Sequence, residues 1–157
     1  MEITWISVAD TAVKIGLGAL ISAISGYVVL KVNLSYEERK EKQSYYYKQQ
    51  EEKKIKYVEF LSQSQSLVQS YLITSCTADT DEYKGYLRVF NEVQIISNDE
   101  IRLAAYDLLS AVGQFVVIRK NDQEVNLLKK MRHAVDEKTG IFQKLVQLEV
   151  TKPYEKT

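Results

Sequence analysis

The sequence predicts an all-α protein: an N-terminal transmembrane helix, a charged stalk and an antiparallel four-helix cytoplasmic bundle. Three observations predict it. Residues Ile15–Leu30 read IGLGALISAISGYVVL, with no charge. The chain has one proline and six glycines, and three of those glycines lie inside the apolar segment. Beyond it, apolar residues recur at helical spacing between short polar breaks. Few breakers favour long helices, and a bilayer core needs about 20 mostly apolar helical residues. The expected organisation is a membrane helix at 1–33, a juxtamembrane helical stalk at 34–56 and a bundle at 57–157.

The apolar segment carries a pattern. At 100° per residue, Thr4, Ser7, Thr11, Lys14, Gly18, Ser22 and Ser25 fall in one stripe, with Ile6, Val13, Leu17, Leu20, Ile24 and Tyr27 opposite. Lipid tails cannot bond hydroxyls or hold an ammonium, so such groups turn to other helices or to water. Gly18, Ser22 and Gly26 form a small-xxx-small series that lets backbones approach. The stripe reads as a self-association face of Thr11, Lys14, Gly18, Ser22, Ser25 and Gly26. The alternative is an inert anchor whose serines bond their own backbone. Lys14 is within a turn of Asp10 or snorkels outward. A cleaved signal peptide is disfavoured, because the first ten residues contain no Lys or Arg and no clean cleavage site follows the apolar run.

Met1–Asp10 has no Lys or Arg, whereas Lys31, Arg39, Lys40, Lys42 and Lys48 follow the apolar run. Positive-inside logic puts the N-terminus outside and the larger domain in the cytoplasm of an inner membrane. The single cysteine, Cys76, suits a reducing compartment. Basic and acidic residues number 21 each, so no strong field draws the chain to a DNA or RNA duplex.

The stalk, SYEERKEKQSYYYKQQEEKKIK from Ser35 to Lys56, mixes opposite charges at helical spacing, Glu38 and Lys42 among them. Its tyrosines, Tyr36 and Tyr45–Tyr47, suit either headgroup contact or plain exposure. Tyr57, Val58, Phe60, Leu61, Leu67, Val68, Tyr71 and Leu72 extend this helix to about Ser75. Thr77–Asp81 is a loop with Asp79 as the next N-cap. A second helix, Tyr83–Ile96, buries Tyr86, Leu87, Val89, Phe90, Val93 and Ile96. Ser97 and Glu100 form a capping box opening a third helix to Ile118. Its core face is Ile101, Ala104, Ala105, Leu108, Leu109, Val112, Phe115 and Val116. Asn121–Glu124 starts a fourth helix by the same logic. That helix uses Val125, Leu128, Met131, Val135, Phe142, Leu145, Val146 and Leu148, with Gly140 as a weak point or a close contact, and it ends near Pro153.

Chemistry-bearing patterns are sparse. Cys76 and His133 are single residues of their type, and no acidic pair, zinc spacing or phosphate-binding glycine loop stands out. No catalytic residue, metal ligand or cofactor is expected. One charge feature remains. Arg119 and Lys120 close the third helix, and Lys129, Lys130, Arg132 and His133 lie on the next, where an antiparallel return brings them near. Convergence makes an anion-binding patch; the alternative is ordinary solvated charge.

Three stretches carry a resemblance: KIKYVEFL from Lys54 to Leu61, YLRVFNEVQIISNDEIRLAAYDLL from Tyr86 to Leu109, and IFQKLVQLEV from Ile141 to Val150. They resemble small prokaryotic single-span membrane proteins with a helical cytoplasmic domain. Within that set, size and plan look like the small CRISPR-associated membrane effectors. The resemblance implies an oligomeric antiviral effector whose domain binds a cyclic oligoadenylate and acts on the membrane. The chain departs from that pattern in showing one span and no motif that fixes the ligand. The competing expectation is a non-catalytic, membrane-tethered adaptor that recruits a protein partner.

Overall fold

A computed structural model describes residues 5–77 and 79–155, with side chains described from Val13 onward except that of Asp122. The described residues form four α-helices, a single 3-10 turn and no strand. The helices are α1 (Trp5–Ser70), α2 (Asp81–Ile96), α3 (Asp99–Val117) and α4 (Val125–Val150), and the 3-10 turn is Lys120–Asp122. Two compact units divide the chain, Met1–Tyr45 and Tyr46–Thr157.

In the first unit, α1 carries a helix long and apolar enough to cross a membrane by length and composition, and none of that window is buried. Its large apolar side chains are exposed on every side, from Val13 and Ile15 through Leu20 and Tyr27 to Val32 and Leu34.

In the second unit, all four helices contribute to one core. Phe60 stands at its centre. Its ring stacks on Tyr86 of α2 (5.2 Å between centroids, 6° between planes) and meets Phe142 of α4 edge-on (5.3 Å). Tyr57 adds a second edge contact to Phe142 at 6.0 Å. The Ser64 hydroxyl bridges the Phe60 carbonyl (2.8 Å) and the Tyr86 hydroxyl (2.9 Å), which satisfies the polar atoms buried here. Burial pushes the Tyr86 phenol well above its usual range, so it stays protonated. α3 packs against both α2 and α4, and Ile101, Ala104, Ala105, Leu108, Val112, Phe115 and Val116 of α3 are all buried.

The patterning placed this face of α3 correctly, with Leu109 half-buried. Elsewhere the structure corrects it. α1 ends at Ser70, not Ser75. The N-cap of α2 is Thr80 rather than Asp79: its hydroxyl accepts from the Tyr83 amide, and Asp79 pairs with Lys84 instead. The N-cap of α3 is Asn98, accepting from the Ile101 amide at 3.0 Å. Ser97 is drawn away from capping because its hydroxyl donates to Tyr57 at 3.1 Å. α4 starts at Val125, and its N-cap residue, Glu124, makes no side-chain cap bond. The Asp122 side chain of the expected Asn121–Glu124 cap lies outside the described residues. Val58, Val125 and Leu148, expected in the core, are exposed: at 100° per residue Val58 points away from the buried Phe60 and Leu148 away from the buried Val146, and Val125 is the first residue of α4. Gly140 meets no neighbour within 4 Å where a Cβ would stand, so it marks no close contact.

Residues read as stalk also belong to the second compact unit. Tyr46 donates to the Lys152 carbonyl (2.9 Å), and its ring lies 5.5 Å from Tyr154. Lys53 pairs with Glu149 at 2.6 Å, and Glu149 also accepts from the Asn98 amide group at 3.3 Å. Tyr36, Tyr45 and Tyr47 are exposed.

Truncating Phe142 to alanine should cost about 3–5 kcal/mol of domain stability. Leu148→Ala, outside the core, should stay within about 0.5 kcal/mol. Urea titration followed by far-UV circular dichroism of the full chain in detergent separates the two.

Candidate functional site

Two sets of residues were singled out by sequence, and each lies within one compact unit. The first is the stripe of the apolar helix. Lys14, Gly18, Ser22, Ser25 and Gly26 lie on exposed helix surface, while the Thr11 side chain lies outside the described residues. Gly18, Ser22 and Gly26 repeat every four residues and so share a face. Nothing stands within 4 Å of where a Cβ would be at Gly16, Gly18 or Gly26, which leaves room for another backbone. Ser22 donates its hydroxyl to the Gly18 carbonyl at 2.9 Å, so this serine is satisfied within its own helix.

The second is the basic group. Arg119, Lys129, Lys130 and His133 are exposed. Lys129 and His133 are one turn apart on α4, and Lys130 is turned aside by one residue. Arg132 is half-buried, its Nε 3.8 Å from Asp136 Oδ1. It lines a cleft of about 500 Å³ between α1 and α4, facing Ser62, Gln65, Gln69 and Thr139. The group is therefore split: Arg132 turns to a polar cleft, and the other α4 cations face solvent.

Lys120 behaves differently from the expected ligand-binding role. Its side chain is buried. The ammonium donates to the Phe115 carbonyl and, at 3.3 Å, to the Ile118 carbonyl. It also lies 4.5 Å from the centre of the Phe115 ring, a cation–π contact. It thus satisfies carbonyls that the end of α3 leaves open. Burial lowers the Lys120 pKa, opposed by the neighbouring Cys76 thiol.

Cys76 is buried, its thiol near the Thr77 carbonyl and the Thr80 hydroxyl, and its amide donates to the Val116 carbonyl at 2.7 Å. His133 is on the exposed surface of α4. Among the described residues no group of three or more His, Cys, Asp or Glu is placed to hold a metal ion.

Sequence reasoning left the outward face of α3 unassigned. A shallow groove of about 660 Å³ runs there, lined by Tyr83, Tyr106, Gly113, Val117 and Met131 among others. The readable signal was the single charge, Asp107, between Leu103 and Ile118.

Among the described residues the protein is all-helical, with one helix long and apolar enough by length and composition to span a membrane. The chain matches no protein family, characterised protein or solved structure.

The buried Lys120 amine generates a pH-dependent prediction. Its folded pKa lies below lysine's ordinary 10.5, so near that pH the unfolded chain binds more protons than the folded one. Stability from this group therefore rises with pH through that window and is absent below the folded pKa. Replacing Lys120 with methionine should flatten the rise, read as urea midpoints of variant and parent on a pH series that runs up through lysine's ordinary 10.5.

Proposed function

We propose that this protein is an oligomeric, single-span membrane effector with its N-terminus outside and an antiparallel four-helix domain in the cytoplasm. The observation that carries the reading is the exposed apolar surface of α1 from Val13 to Leu34. Soluble monomers rarely expose apolar patches beyond a few hundred Å². A bilayer covers such a surface all round, and the Gly18-Ser22-Gly26 face is where sister helices meet.

In this reading the cytoplasmic domain receives an anionic signal, a cyclic oligonucleotide being the chemistry with several phosphates that a symmetric assembly suits. Arg119, Lys129 and Lys130 are the exposed cations available for it, with His133 on the same helix as a hydrogen-bonding side chain. Lys120 is committed to main-chain carbonyls and Arg132 faces Asp136. The ligand alters the membrane only if it binds two arrangements of the assembly unequally. The domain then acts without chemistry of its own.

A second reading is favoured by one observation. Lys120, one of the two cations that follow α3, is buried and bonded to main-chain carbonyls, which thins the expected patch. A tethered adaptor that recruits a protein partner needs no such patch.

The full chain should stay in the membrane pellet after alkaline carbonate extraction, and release into the supernatant would end the anchoring reading. Gly18→Ile should lower the mass of the detergent-extracted assembly while leaving membrane retention intact. Calorimetry of the extracted protein with cyclic oligoadenylates discriminates the two roles. An effector binds, and the Lys129→Glu, Lys130→Glu double variant loses at least tenfold in affinity. An adaptor shows no heat of binding.

A further inference from the structure

The outward face of α3 is built unlike the other solvent-facing helix surfaces of the second unit. α3 buries one side in the core, yet its opposite side is also poor in charge. Leu103 is 66% exposed, Tyr106 59% and Val117 45%. At 100° per residue, these three fall with Ser110, Gly113 and Gln114 within a stripe about 100° wide, opposite the core face. A helix apolar on both sides is one that belongs between two packed layers, and a single copy of this chain supplies only one.

The stripe has heptad spacing. Leu103, Ser110 and Val117 stand at one repeating position, and Tyr106 and Gly113 at the other, the arrangement of an a/d seam. Its two flanks carry opposite charge: Arg102 on one edge and Asp107 on the other. In a parallel, in-register pair these are the g and e positions, where a residue of one copy meets the residue five places further on in its mate. Arg102 of each copy then faces Asp107 of the other. Within one chain Arg102 pairs with Asp99 at 3.0 Å and Asp107 with Lys138 at 3.2 Å. Pairing joins the two into a line of alternating sign, Asp99, Arg102, Asp107, Lys138, crossing the interface. Antiparallel pairing about Ser110 instead opposes Arg102 with the apolar end of α3 and Asp107 with Gln114, and loses that match.

At Gly113 the Tyr83 hydroxyl of the same chain stands 2.9 Å from where a Cβ would be, so that position is covered from within. We infer that the α3 face of Leu103, Tyr106, Ser110 and Val117 docks a second copy of this chain, parallel and in register, with Arg102 of each copy against Asp107 of the other. The inference rests on the self-association in the proposed function and names where it occurs outside the membrane. A shared membrane tether raises the effective concentration of the two faces, so a short seam suffices.

The test is oxidative cross-linking of the full chain in its native membrane. Ser110→Cys should form a disulfide-linked dimer at least tenfold faster than Asn91→Cys, an exposed position on α2. The parent, whose lone Cys76 is buried, is the blank. Arg102→Glu should slow the Ser110→Cys reaction at least fivefold, and adding Asp107→Lys should restore it. Circular dichroism confirms that each variant is folded. Ser22→Cys reports separately on the membrane helix. If Ser22→Cys cross-links and Ser110→Cys does no better than Asn91→Cys, the α3 interface is overturned while self-association stands. If neither cross-links and the extracted protein is monomeric, self-association fails and this interface with it. Preferential linking of Leu103→Cys in one copy to Val117→Cys in another overturns the parallel register. Adducts of Ser110→Cys with other proteins in place of the homodimer assign the face to a different partner and overturn the inference.

Discussion

The packing of the Phe60 ring is the contact on which the second compact unit depends. It touches Tyr86, Phe90 and Phe142, so one side chain from α1 joins α2 and α4. Around it α1 also buries Tyr57, Ser64, Leu67 and Val68, with Leu61, Tyr71 and Leu72 packed against the same core. Large aromatic rings bury 150–250 Å² each by general survey, roughly the largest payload a side chain offers. Four such rings in one cluster therefore decide how the helices pack. Ser64 makes that cluster admissible, since it gives the buried Tyr86 hydroxyl a partner that water no longer supplies.

Charge has a different part. Lys53–Glu149 and Lys56–Glu92, both at 2.6 Å, lie toward the periphery of the core. The hydrogen bond from Lys56 holds the Glu92 carboxyl below its usual range, with the Lys56 amine raised in turn. The first pair is half-buried and joins α1 to the end of α4, and the second, nearer the surface, joins α1 to α2, where such a pair contributes little energy. Glu149 accepts from both Lys53 and Asn98. The apolar helix of the first unit obeys another constraint. Its large apolar side chains from Val13 to Leu34 are exposed, and a helix satisfies its own backbone hydrogen bonds, which is what a bilayer would require of it.

Much of the second unit was legible before any coordinate. The core face of α3 emerged from periodicity alone, as did Tyr86, Val89 and Val93 on α2 and Phe142 and Val146 on α4. The N-caps of α2 and α3 were legible in kind and wrong by one residue, whereas the expected cap of α4 gave way to Glu124, which makes no side-chain cap bond. Thr80 and Asn98 are as fit to cap as their neighbours Asp79 and Ser97, and the choice went to whichever neighbour had no better partner elsewhere. The basic group was legible as composition but not as a site. Nothing local distinguishes Lys120, which turns inward, from Arg119, which does not.

By itself the sequence determined what depends on neighbours within a turn or two: helix existence, the apolar stripe of each helix, the uncharged run of α1, and the scarcity of catalytic residue types. Only the tertiary structure decided what depends on residues far apart in the chain. Tyr57 meets Ser97 across 40 positions and Lys53 meets Glu149 across 96. Those meetings relocate caps, draw the residues after Tyr46 into the compact unit and leave one side of α3 uncovered. The physical reason is that helical periodicity sets which side of a residue is apolar, whereas competition for one hydrogen-bond partner or one place in a core is settled only when all the helices are together.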